Sequence, residues 1–166
     1  VPGAAKTTLT RALAQELGLP FVSKDDIKEQ LYDALGVGDV EWSRRLGGAA
    51  YALIFGFVRE LLVVGQSVLP EANFFSGSHE EQFDALPRHR LVQFRCSVPL
   101  ELLLERYAGR TGRHAGHLAR ERAVELAERL ESGAHSPLAL DGELVEVDTS
   151  HPVDVEAIAD GIRALL

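Results

Sequence analysis

Lys6 and Thr7 stand adjacent near the start of the chain, in the run V-P-G-A-A-K-T-T. The pattern G-x-x-x-x-G-K-[ST] wraps backbone N–H groups around nucleotide phosphates, its lysine reaching the β- and γ-phosphates and its hydroxyl holding Mg²⁺. Pro2, Gly3, Ala4, Ala5, Lys6, Thr7 and Thr8 are therefore candidate nucleotide-binding residues. The first glycine of the pattern would precede Val1, and Ala5 stands where the second belongs. If that position requires positive φ, alanine there costs about 1–2 kcal/mol. Such a loop joins a strand to the helix after it. No strand lies ahead of Val1 and the chain has no methionine, so it reads as starting inside the domain.

Three further sets of residues carry chemistry. S-K-D-D-I-K, residues 23–28, follows an apolar stretch. A carboxylate there can take the proton of an acceptor hydroxyl, and Asp25 is the candidate base. Lys28, one helical turn on, is placed to hold an anionic group of the substrate. Ser23, Asp25 and Asp26 also read as an ordinary helix N-cap. P-E-A-N-F, residues 70–74, ends another apolar run. Glu71 suits orientation of Mg²⁺ or its water, and Asn73 suits a hydrogen bond to substrate or phosphate; a strand-end turn is the plain alternative. The third set is R-Y-A-G-R-T-G-R-H-A-G-H, residues 106–117. Arg106 and Arg110 share a helix face. With Arg113 they are candidates to neutralise a transferring phosphoryl, on a segment whose glycines permit closure; a solvated basic turn is the plain alternative. His114 and His117 without cysteine or carboxylate neighbours are weak metal ligands.

These residues need elements to hold them. Apolar spacing predicts helices over 7–17, 25–35, 41–64, 80–86, from Pro99, over 118–130, and from Val155 to the end. Short strands are expected at 19–23, 67–74, 91–96 and 144–147. Alternating short strands and helices point to an α/β domain with a parallel sheet covered on both faces, and ligands in such sheets bind at the C-terminal strand ends. A single domain over 1–166 is expected, with a lid around 106–130. The segment 41–64 reads as a largely buried helix, with Gly48, Ala49, Ala52 and Gly56 allowing close packing. Its uncharged run of about 13 residues is short of the ~20 needed to span a bilayer.

A net charge of −8 argues against binding along a nucleic-acid backbone. The single Cys96 cannot form an internal disulfide, which fits a reducing, cytoplasmic compartment, and it reads as a buried structural thiol.

Taken together, V-P-G-A-A-K-T-T-L, F-V-S-K-D-D-I-K, V-L-P-E-A-N-F, the 105–117 lid and V-D-T-S resemble the zeta-toxin-like and AAA-type small P-loop kinases, near chloramphenicol phosphotransferase and polynucleotide-kinase-like domains. That resemblance implies a three-layer α/β/α P-loop fold with parallel strand order 2-3-1-4-5, its first strand being the one absent ahead of Val1. It implies MgATP as phosphoryl donor and a small-molecule acceptor. It also implies Asp25 as base, Lys28 where an arginine is usual, lid arginines at 106, 110 and 113, and residues 148–152 closing over adenine. A toxin-like member would have an antitoxin partner. A degenerate non-catalytic nucleotide-binding module and a simple ATPase remain as alternatives.

Overall fold

A computed structural model describes residues 6–99, 101–103, 106 and 136–165. The predicted lid beyond Arg106, including Arg110, Arg113, His114 and His117, lies outside them, as do Pro2, Gly3, Ala4 and Ala5.

Helix α1 (Lys6–Leu17) ends at Gly18, whose φ of +65° suits a residue without a Cβ. Strand β1 (Phe21–Ser23) leads directly into α2 (Lys24–Leu35). Helix α3 (Val40–Val63) follows, capped by Asp39, which accepts the Trp42 N–H at 2.8 Å. Next come β2 (Leu69–Glu71), α4 (Glu80–Asp84), β3 (Val92–Ser97), β4 (Glu143–Asp148) and α5 (Val155–Arg163).

The strands form two parallel pairs, β1 with β2 and β3 with β4, and no ladder joins the pairs among the described residues. These are the neighbours 2-3 and 4-5 of the expected order. Register aligns Phe21 with Leu69 and Ser23 with Glu71 in the first pair, and Val92 with Glu143 and Ser97 with Asp148 in the second. Pro70 inside β2 would be awkward wherever its missing N–H was needed. Leu69 donates to Pro20 O at 2.9 Å, and donors alternate sides along a strand, so the nitrogen of Pro70 faces away from β1.

Helix α1 carries Leu9 and Leu13 into a core shared with Cys96 of β3, Val147 of β4, and Ala159 and Ile162 of α5. It also touches β1 and β2, so one helix braces both strand pairs. Helices α2 and α3 pack on each other and reach β1.

Helix α3 differs from the largely buried helix expected. By length and composition it could cross a membrane, yet only 22% of its most apolar window is buried. Ser43, Leu46, Ala50, Ile54 and Val58 form the inward stripe at helical spacing. Gly48, Ala49, Ala52 and Gly56 lie exposed on the other side, and a Cβ added at Gly48 or Gly56 would meet nothing within 4 Å. Among the described residues, the small side chains therefore admit no neighbouring element.

Beyond β2, the loop is anchored to α3 by aromatic contacts. Phe83 meets Phe55 and Phe74 edge-on at 5.1 and 5.0 Å between centroids. Nδ1 of His79 accepts the Phe75 N–H at 2.9 Å; burial lowers the pKa of this imidazole, with the backbone of Phe75 and Glu80 opposing.

Candidate functional site

Parallel pairing brings the C-terminal ends of β1 and β2 side by side, so Ser23 and Glu71 are direct neighbours. The first turn of α1 arrives at the same place. The hydroxyls of Thr7 and Ser23 each donate to Oε2 of Glu71 at 3.1 Å, and Nζ of Lys6 lies 4.0 Å from Oε1. Glu71 is only 8% exposed. A carboxylate that deep needs charge and hydrogen-bond partners; Lys6 offers the charge, and the two hydrogen bonds come from residues 48 and 64 positions away.

Lys6 pays for its position. Burial pushes its ammonium below the usual lysine range, and attraction to Glu71 only partly opposes this. A half-buried cation at a helix N-terminus, where the backbone dipole is also positive, is arranged for an anion. The Cys96 thiol is pushed up by burial, with Lys6 pulling the other way. Cys96 thus lies beneath the lysine as a protonated core residue, as expected of a structural thiol.

Ser23, not an aspartate, caps α2, accepting the Asp26 N–H at 3.4 Å. Asp26 pairs with Arg11 at 2.7 Å. The helix-cap explanation of Asp25 is therefore filled by its neighbours. The Asp25 side chain is 41% exposed and lies 3.3 Å from Nζ of Lys24. Its charge also reaches Lys6.

The structure places Lys28 inside the α2–α3 interface, 1% exposed. Its Nζ donates to the Ser43 hydroxyl at 2.8 Å, and Tyr32 donates to the same oxygen at 2.7 Å. Asn73 follows β2. Its backbone carbonyl accepts the Tyr51 hydroxyl at 2.5 Å, while its Oδ1 is buried and has no hydrogen-bond partner among the described residues. An orphaned acceptor beside the strand ends suits a donor on a bound molecule.

Arg106 is held elsewhere. Its Nη1 donates to Thr149 O at 2.9 Å. With Thr8, Leu9 and Ala12 of α1 and residues 149–153 it lines a cleft of about 410 Å³. The loop there is fixed: Thr149 Oγ1 donates to Ser97 O at 2.9 Å and Ser150 N to Asp148 Oδ1 at 2.8 Å. Arg106 is thus joined to the 148–152 segment, in a cleft that adjoins the phosphate loop through Thr8.

Lys6, Thr7, Glu71 and Asp25 are thus brought to one edge, and Asn73 follows Glu71 there. Sequence reasoning recognised Ser23 only as a possible cap; its bridge to Glu71 depends on strand register. Lys24 and Tyr51 were not singled out, although the adjacency of Lys24 to Asp25 was visible.

The described residues also fit Mg²⁺. That ion takes one or two protein oxygens and completes its shell with water and phosphate. Thr7 Oγ1 and Glu71 Oε2 converge within 3.1 Å, close to the ~3 Å between adjacent oxygens of an octahedron with ~2.1 Å bonds.

Residues 1–132 match the family described as AAA domain (AAA_33), and the chain belongs to that family. Its fold is that of the P-loop kinases, α/β with parallel strands. A crystal structure of a candidate kinase from Chloroflexus aurantiacus is 35% identical, with a TM-score of 0.88, and the match covers 99% of this chain and 94% of that one. An unliganded sugar kinase from Janibacter shares the fold at 18% identity and a TM-score of 0.63, over 99% and 88% of the two chains. Uncharacterized proteins of Mycobacterium tuberculosis and Mycobacterium bovis are 30% identical over 77% of this chain. The match spans about 28% of the length of those curated relatives.

Proposed function

We propose that this protein transfers the γ-phosphoryl group of MgATP to a hydroxyl of a small molecule. The observation that carries the reading is the convergence of Lys6 and Thr7 on buried Glu71, beside an aspartate released from helix capping. The donor phosphates would meet the N-terminus of α1 and Lys6. The 410 Å³ cleft is within the usual size of a small-molecule pocket and suits the nucleoside. Mg²⁺, held by Thr7 and Glu71, would neutralise charge on the phosphates.

The acceptor hydroxyl gives its proton to Asp25 as its oxygen bonds to the γ-phosphorus. The bond from that phosphorus to the β,γ-bridging oxygen breaks, and ADP leaves. Arg110 and Arg113 are assigned the transferring charge, and Arg106 the nucleoside side of the site. Asn73 offers its Oδ1, unpartnered among the described residues, to a donor on the acceptor. Lys28 is assigned a place behind the acceptor pocket, where it holds Ser43 of α3.

The kinase names of the two structural relatives support the reaction class, and the net charge of −8 favours a small acceptor over a nucleic acid. A cytoplasmic site of action accords with MgATP and a lone thiol. A toxin-like member with an antitoxin partner is a special case of the same chemistry. Ala5 in place of glycine favours, as a second reading, a module that binds nucleotide without turnover.

Asp25→Asn separates the two. For a kinase, transfer to a panel of sugars and polyols falls about 10²–10⁴-fold, while the Kd for MgATP stays within about twofold. Transfer by the variant at the wild-type rate would refute Asp25 as the base.

A further inference from the structure

The geometry points to Lys24 as a positioning residue for the reaction, holding the Asp25 carboxylate toward the acceptor. This rests on the kinase reading of the same site. Lys24 opens α2 at the end of β1, and its Nζ lies 3.3 Å from Asp25 Oδ1 and 5.7 Å from the centroid of the Tyr51 ring. Tyr51 is itself tied to the backbone of Asn73. The ammonium is therefore set between the carboxylate and a ring that is anchored to the loop after Glu71.

Two contrasts separate this pair from an ordinary surface ion pair. Lys24 is only 14% exposed, whereas Arg11 and Asp26 next door are 50% and 44% exposed. Exposed pairs contribute little because water screens them and both side chains must be ordered. A shielded ammonium over an aromatic face loses less to either effect. The second contrast is in direction. Lys24 reaches Asp25 from its own helix, while Lys6 acts on it from α1, where Glu71 of β2 also holds that lysine. Lys6 is set to leave toward phosphate. Lys24 stays with Asp25 when the nucleotide arrives and so holds the carboxylate at the end of β1.

Hydrolysis of MgATP with water as acceptor, followed as phosphate release, tests this in the intact chain. Lys24→Met and Lys24→Gln should lower kcat about tenfold, since misplacing a reacting group by an ångström is worth up to ~10²-fold. The KM for MgATP should stay within about twofold. The acid limb of the rate profile should move to higher pH in both variants, and Lys24→Arg should restore rate and limb. A thermal melt of each variant confirms folding. Wild-type kcat and an unmoved acid limb in whichever of Met and Gln folds would overturn the role of Lys24 and leave the kinase reading standing. If Asp25→Asn hydrolyses at the wild-type rate, Asp25 is not the base and the role of Lys24 falls with it; if wild type releases no more phosphate than Lys6→Met, the kinase reading fails.

Discussion

Lys6→Met should leave the nucleotide-free protein as stable as wild type, or more so, while stripping it of nucleotide affinity. At 4.0 Å, an effective dielectric of 20 gives about 4 kcal/mol of attraction between Lys6 and Glu71. Removing the ammonium from water opposes this by several kcal/mol. The pKa of Lys6 decides which prevails: it lies below the ordinary 10.5, with burial as the largest cause. The protonated lysine is therefore less favourable in the folded chain than in the unfolded one. Because the folded value is the lower, the unfolded state binds more protons between the two values, and stability climbs as pH rises through that interval toward 10.5. Methionine fills similar space without the charge, and Glu71 keeps its bonds from Thr7 and Ser23. Melting of the variant should match or exceed wild type at neutral pH and lack the alkaline rise. Calorimetric titration should show MgADP binding weakened roughly 10- to 150-fold, the equivalent of a charged hydrogen bond of about 1.5–3 kcal/mol. A variant that melts several degrees lower and binds MgADP normally would make Lys6 a structural residue and refute the reasoning.

Ser23→Ala removes both the cap of α2 and a donor to buried Glu71. A loss of about 2 kcal/mol is expected, a fall in Tm of roughly 4–8 °C; a fall under 1 °C would show the bridge to be incidental. Glu80 accepts N–H bonds from Gly77, Ala139 and His79, and the Gly77 bond above all holds its pKa at about 2 against 4.5. The folded value is the lower, so its contribution is complete above pH 4.5 and disappears as pH falls toward 2. In acid titrations, Glu80→Gln should be the less stable protein near neutrality, and its curve should converge with wild type below pH 4.5; parallel curves would count against the Glu80 contacts.

Much of the domain could be read from local pattern. Helix α1 ends at Gly18 because only a residue free to take positive φ closes it so tightly, and the end of α2 at Gly36, with φ +86°, has the same cause. Strand edges fell within a few residues because short apolar runs between polar turns have few alternatives. Lys6, Thr7, Asp25 and Glu71 were recognisable because phosphate chemistry demands those groups at helix starts and strand ends. All of these depend on residues near one another in the chain.

Where a side chain goes after that is a question of packing across distance, and periodicity is silent on it. The apolar richness of α3 suggested burial all round, but among the described residues α2 packs along one side of it, and a Cβ added at Gly48 or Gly56 on the other side would meet nothing within 4 Å. Lys28 has the position of a substrate residue in the motif, yet the α2–α3 contact closes over it. Arg106 reads as a phosphoryl clamp, yet the turn after β4 offers Thr149 O and engages it. Sequence by itself determined the elements and the residue types at their ends, since propensity and capping act within a few residues. Only the tertiary structure decided that Ser23 and Glu71 are neighbours and that Lys6 is buried against them, because parallel register and the docking of α1 join segments 48 and 64 residues apart.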